Sequence, residues 1–283
     1  MSVAPDNSAV HKIAARSPNW RPKLVISDLD GTLISHQHGL SEPHREMMQQ
    51  LSDWGVPVIP ATGRGPRLLG LTRKQVGGDG FMIMGQGGVI FDGDKPIHVD
   101  SMSATAAMSI IDIVASRVGE VRVGAEDAGD FSHPLRLQNG FHWPYSIDFH
   151  EFVDNDDVVR TDVLKLFIEA HHLDIDDLVA IIREVVPTEI AEVTHSGIGF
   201  AEISPPGVDK ARGVALVAER LQVDQEDILC FGDMPNDLAM FAWCGRSVAM
   251  GDAHPAVIAR ADAVTGTCDD FGFSRYIEDA FEW

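Results

Sequence analysis

Short apolar runs ending in Asp, Gly or Pro alternate with longer amphipathic stretches near both ends of the chain. That alternation constrains the fold more than any other feature of the sequence. "KLVISDLD" (23–30) reads as a buried strand, and "SEPHREMMQQLSDWG" (41–55) as a helix with Ser41 as its N-cap and Gly55 closing it. "VPVIPATGR" is a second strand, "GPRLLGLTRKQ" a helical stretch, and "GFMIMGQGGVIFDG" a third strand leading into a hairpin. Near the other end, "DKARGVALVAERLQV" is a helix, "DILCFGD" a strand, "MPNDLAMFAWCG" a helix and "SVAM" a final core strand. Strand and helix in alternation imply a parallel sheet covered on both faces. The expected fold is therefore α/β, with a doubly wound, Rossmann-like parallel sheet.

The middle of the chain has a different pattern. "VRVGAED", "YSIDFHEFV", "VLKLFIEA" and "EIAEVTHSGIGFAEIS" are strand-like, with helices expected at "SATAAMSIIDIVASRVG" and "DIDDLVAIIREVVP". Residues 100–202 therefore read as an α+β domain inserted into a core made of 23–99 and 203–283, after a polar tail over 1–22 that is expected to be flexible. At 283 residues, 45% of them hydrophobic, the chain can supply both cores. The tail has no apolar segment of signal-peptide type, and no run of apolar residues is long enough to span a bilayer. A soluble, cytoplasmic protein is expected. The formal charge of -21 disfavours nucleic acid and anionic membranes as partners, and an anionic substrate would need locally placed cations. Cys230, Cys244 and Cys268 are too few and too scattered for a disulfide framework or a zinc site.

In a doubly wound sheet, ligands bind beyond the carboxyl ends of the strands. Asp28 and Asp30 stand there, two residues apart, so in a strand both point to the same side. Gly31 permits a turn, and Thr32 can hydrogen-bond the loop. Buried carboxylates cost desolvation energy and repel each other unless a cation compensates them. Alone, the pair is equally compatible with a solvated Asx turn. The second acidic loop, "GDMPND", shifts the balance, because Asp233 follows another buried strand and faces the same crevice. Three converging carboxylates suit a hard cation with oxygen ligands, namely Mg²⁺. Asn236 and Asp237 lie one turn further on, placed for outer-shell contacts or simply favoured by the helix dipole. Thr62 ends its strand with a hydroxyl and a backbone N–H suited to a phosphate oxygen, or to an ordinary cap. Lys210 heads a helix, where a cation opposes the dipole, so it is expected to serve a phosphate or the carboxylates.

Together "DLDGT", "ATGR", the lysine after "PPGV" and "GDMPND" resemble the haloacid dehalogenase (HAD) superfamily. Their order, with the insertion between the second and third, is similar to that of its Cof-type, C2-capped, class IIB phosphatases. The resemblance spans roughly residues 23–268. It implies a C2-type cap and an Mg²⁺-dependent phosphomonoesterase working through an aspartyl-phosphate. Asp28 would be the nucleophile and Asp30 the general acid and base. Thr62 and Lys210 would bind the phosphoryl oxygens. Asp28, Asp233 and the backbone carbonyl of Asp30 would hold the metal, with Asp237 and Asp252 behind them. Gly63, Arg64, Gln86 and Asn236 would contact substrate. Two positions depart from the pattern: Gln86 stands where Asn is usual, and Asp252 stands where Gly-Asn-Ala is usual.

The implied substrate is a small phosphorylated metabolite, a sugar phosphate or phosphorylated cofactor, handled by a monomer or homodimer. A phosphosugar mutase and a non-catalytic phosphate sensor are the rival readings. Arg117, Arg122, Arg136, His133 and Trp143 are candidates for lining the cap, and His171-His172 for a metal or a solvated loop.

Overall fold

The computed structural model describes residues 20–144 and 149–281. Their packing divides into two compact units. One comprises the described residues within Met1–Pro60, Ala218–Asp233 and Asp237–Trp283, and the other Ala61–Val217 with Met234–Asn236.

The first unit is built on a five-stranded parallel sheet. Its spatial order is Ala263–Val264, Arg246–Ala249, Ile228–Gly232, Leu24–Ser27 and Val58–Pro60. From Leu24–Ser27 the chain goes to one neighbour, Val58–Pro60, and later resumes on the opposite side at Ile228–Gly232, moving outward from there. Leu24–Ser27 and Ile228–Gly232 therefore flank the point where strand order reverses, with Ser27 registered against Phe231. The four residues of the first strand and the five of the second are buried throughout, as strands covered on both faces must be. "SVAM" is not the last strand: the two-residue Ala263–Val264 pairs outside it, too short to leave a periodic signal.

The helix expected at 41–55 runs Glu42–Asp53, with Ser41 Oγ accepting the His44 N–H at 3.3 Å and Gly55 at φ +77° beyond it. It buries His44, Met47 and Leu51 and packs on the helix Gly272–Ala280. Of the expected tail, residues 1–19 lie outside the described residues. Trp20 packs: its Nε1 donates to the Glu226 carbonyl at 3.1 Å, and the Arg246 guanidinium lies 4.6 Å over its ring.

The second unit carries a three-stranded antiparallel sheet, Phe81–Met84, Val89–Asp92 and Lys95–Val99, and a six-stranded mixed sheet. The latter orders His150–Val153, Leu135–Gln138, Arg122–Asp127, Val163–Glu169, Ala201–Ser204 and Glu192–Thr194. The helices Ala104–Val118 and Ile175–Val185 close its apolar face, where Ile110, Val114, Leu178 and Ile182 meet Val123, Leu166 and Ile203. The strand Leu135–Gln138 carries no expected strand signal, since Arg136 interrupts its apolar run. Part of the expected strand "YSIDFHEFV", residues 145–148, lies outside the described residues.

Two candidates for the cap surface are turned toward the core, Arg136 fully and Trp143 in part. Arg136 is buried, gripping the Asp127 carboxylate through both terminal nitrogens while its Nε donates to the Val158 carbonyl at 2.9 Å. Trp143 stacks on Phe200 with 5.9 Å between ring centroids. Arg117 and Arg122 pair with exposed carboxylates, and His133 lies 3.5 Å from the Asp130 carboxylate. His171 is largely exposed, 3.4 Å from Glu169.

Candidate active site

In the first unit the site begins where the two central strands end. The Asp28 N–H still donates to the Phe231 carbonyl at 3.0 Å, so Asp28 is the last residue held by the ladder. The chain then turns on one carbonyl: Leu29 O accepts the N–H groups of Thr32, Leu33 and Ile34. Asp30 is therefore a loop residue rather than a strand residue, and the alternation expected to align it with Asp28 does not apply. Asp30 is half-buried and stands outside the carboxylate cluster that forms here.

That cluster consists of Asp28, Asp233 and Asp237. All three are buried, and one carboxylate oxygen from each lies within 4.8 Å of the others. Thr32 Oγ1 donates to Asp233 Oδ1 at 2.9 Å, so the threonine expected to steady its own loop orients the carboxylate of the other loop. The Asp237 Oδ2 accepts the Asp233 N–H at 2.9 Å, which turns a helix-start residue inward until it is 0% exposed. Gly31, at φ +95°, allows this approach, because a Cβ there would lie 2.5 Å from Asp233 Oδ2. The donor set is all oxygen and all anionic, and fits a hard divalent cation. Asp252 is exposed in the turn after Arg246–Ala249. Burial, with the Asp269, Asp252, Asp233 and Asp28 carboxylates adding to it, pushes the Cys268 thiol up to about 12. Burial also raises Cys230. Neither sulfur offers a thiolate nucleophile at neutral pH.

In the second unit, Thr62, Gly63, Arg64, Gln86 and Asn236 form a connected polar set. The Thr62 N–H donates to the Ile83 carbonyl at 2.9 Å. The backbone donor expected to meet a phosphate oxygen is therefore spent on a bridge between Ala61 and Ile83. The Thr62 hydroxyl accepts the Arg64 N–H at 3.1 Å and keeps its own proton to donate. Arg64 reaches Gln75 Oε1 at 2.5 Å. Gln86 is buried in a left-handed turn at φ +60°, and its Oε1 accepts from Asn236 Nδ2 at 3.2 Å. Lys210 begins the helix Lys210–Leu221 and is 0% exposed, so it is not a solvated surface lysine.

Sequence reasoning missed two members of this region. Lys165 and Glu202, each 2% exposed, form an ion pair of 2.5 Å. Burial alone would raise the Glu202 carboxyl, but the Lys165 ammonium, with help from Ser196 and Gln86, outweighs it and holds the group below its ordinary value. The one signal available was a charged residue inside each of two otherwise apolar runs, "VLKLFI" and "FAEI".

The first unit is a doubly wound sheet with carboxylates at its switch point, and the second carries a mixed sheet covered by helices. The chain superposes on the HAD subclass IIB sugar phosphatase BT4131 with a TM-score of 0.74 and 21% identity, over 90% of this chain and 98% of that one. A profile of haloacid dehalogenase-like hydrolases matches residues 25–277, and the chain belongs to that family. Among its relatives is the 5-amino-6-(5-phospho-D-ribitylamino)uracil phosphatase YcsE of Bacillus subtilis (strain 168). The two are 26% identical over 90% of this chain and 94% of the relative. An HMP-PP phosphatase of Yersinia enterocolitica is 24% identical over 90% of this chain and 94% of its own length. Among the described residues no helix is long and apolar enough to cross a membrane.

Proposed function

We propose that this chain is an Mg²⁺-dependent phosphomonoesterase that hydrolyses a small phosphorylated metabolite through an aspartyl-phosphate. The observation that carries the reading is the gathering of Asp28, Asp233 and Asp237 at the sheet's switch point, an arrangement that costs free energy without a cation. Asp28, Asp233 and the Asp30 carbonyl would hold the metal, with Asp237 behind Asp233. When bound, Mg²⁺ neutralises the repulsion between a carboxylate nucleophile and a phosphate dianion. Asp28 attacks the phosphorus and expels the leaving alcohol. Asp30, outside the cluster, gives that alcohol its proton and later takes one from the attacking water. The Thr62 hydroxyl and the Lys210 ammonium bind phosphoryl oxygens, where charge shifts in the transition state. Gly63, Arg64, Gln86 and Asn236 contact the substrate, and residues 100–202 act as the cap that reads its leaving group. The relatives named as phosphatases of phosphorylated metabolites support the substrate class, and the charge of -21 supports the need for these local cations.

The test is hydrolysis of p-nitrophenyl phosphate by the purified full chain. Turnover with Mg²⁺ that disappears in EDTA and returns with added Mg²⁺ is expected. Turnover that persists in EDTA would overturn the metal-assisted mechanism. Thr32→Val removes the hydroxyl that orients Asp233 while keeping its shape. It should raise the Mg²⁺ concentration for half-maximal rate by about 10- to 100-fold, with kcat at saturating metal changed far less. An unchanged Mg²⁺ titration would remove Thr32 from the metal shell.

A further inference from the structure

Three successive carbonyls in the loop after Val58–Pro60 are each tied to a donor. Thr62 O accepts the Gln86 N–H at 3.1 Å and Arg64 O accepts the Gly85 N–H at 2.9 Å, both from one tight turn. Backbone does not hold the carbonyl between them. Gly63 O accepts from Lys165 Nζ at 2.5 Å, a side chain from 102 residues further along the chain. The same ammonium binds Glu202 Oε2 at 2.5 Å, and Glu202 Oε1 accepts from Ser196 Oγ. Lys165 lies in the middle of the strand Val163–Glu169 and Glu202 in Ala201–Ser204, neighbours in the six-stranded sheet.

The geometry points to Lys165 as a positioning residue for the Thr62 hydroxyl, with Glu202 holding Lys165 in place. The carbonyl of Gly63 and the N–H of Arg64 belong to one planar peptide unit, so fixing one end fixes the other. That N–H is the donor, 3.1 Å from Thr62 Oγ1, that occupies a lone pair of the hydroxyl. With the lone pair engaged, the hydroxyl proton is directed away from the loop, toward an acceptor such as a phosphoryl oxygen. The relay runs from Glu202 through Lys165 and the 63–64 peptide to Thr62. It rests on the proposed role of Thr62 in binding a phosphoryl oxygen.

A buried ion pair can also be purely structural, and the same sheet provides the comparison. Arg136 and Asp127 are also buried, and beyond each other they meet Val158, Thr161 and His133 rather than the 62–64 loop. Removing one member of either pair would strand a buried charge, whereas replacing both by apolar residues often preserves stability. The experiment therefore uses Lys165→Met/Glu202→Leu, Arg136→Met/Asp127→Leu, Thr62→Ala, and the first pair combined with Thr62→Ala. Each full-length variant is checked by thermal denaturation, then assayed for kcat/KM on p-nitrophenyl phosphate and for inhibition by inorganic phosphate, both with Mg²⁺.

The Lys165/Glu202 pair is expected to lose about 10- to 100-fold in kcat/KM. Its phosphate inhibition should weaken in step, while the Arg136/Asp127 pair stays near wild type. The decisive outcome is non-additivity: adding Thr62→Ala to the Lys165/Glu202 pair should cost little more, because the pair acts through that hydroxyl. Wild-type kinetics in the pair, or losses that add fully to those of Thr62→Ala, would overturn the proposal. If the pair does not fold, the isosteric Glu202→Gln takes its place in the same cycle. If wild type binds inorganic phosphate without turnover, the cycle is read in phosphate affinity instead. A wild type that neither hydrolyses nor binds phosphate overturns the phosphatase reading first and this proposal with it, an outcome distinct from failure of the Lys165 cycle alone.

Discussion

Asp28→Asn is expected to leave a folded protein whose kcat on p-nitrophenyl phosphate has fallen by about four orders of magnitude or more, the scale seen when a catalytic nucleophile is removed. The substitution keeps the size of the side chain, and the backbone N–H of residue 28 keeps its bond to Phe231. What it removes is the nucleophilic oxygen and one negative charge from a group of three. An amide neither attacks phosphorus at a useful rate nor attracts a divalent cation as a carboxylate does. The same change reduces repulsion within the cluster, so without metal the variant should melt no lower than wild type. Addition of Mg²⁺ should raise its melting temperature less than it raises that of wild type. Turnover within tenfold of wild type, in preparations free of contaminating phosphatase, would sink Asp28 as nucleophile.

Gly31→Ala should damage the fold and the site together. At φ +95° an L side chain is strained, at a cost of about 1–3 kcal/mol. The added methyl would also fall 2.5 Å from Asp233 Oδ2, so the carboxylate must move away from Thr32 and from Asp28. A lower melting temperature, a weaker response to Mg²⁺ and a loss of about 100-fold in kcat/KM are expected together. Gly39→Ala separates the two causes. Gly39 also has a positive φ, +73°, but nothing lies within 4 Å of its Cβ direction. It should share the stability loss and keep its activity. Equal activity losses in both variants would mean that backbone strain, not the collision with Asp233, is what matters.

The polar set in the second unit shows how far local pattern reaches. Thr62 was identifiable because a strand ends there, but the partner that takes its N–H, Ile83, was not. Gln86 was identifiable as a departure from a motif, but its left-handed backbone and its bond to Asn236 were not. Arg136 read as a surface candidate, whereas the hairpin-like turn of its strand against Arg122–Asp127 brings the Asp127 carboxylate onto it.

The sequence by itself determined the alternation that makes a parallel sheet, the carboxylates at the ends of its strands, and the four motifs whose order marks the family. Each is a local property: burial on both faces requires a continuous apolar run, and a strand's end requires residues that can leave the ladder. Only the tertiary structure decided which carboxylates cluster, since Asp237 joins Asp28 and Asp233 while Asp30 turns out of the strand. It also decided that Thr32 serves Asp233, 201 residues away, and that Lys165 holds Gly63 across 102. The physical reason is the same in each case. A buried charge or donor is stable only where its partner arrives, and the partner's arrival is fixed by strand order and loop path rather than by neighbours in the chain.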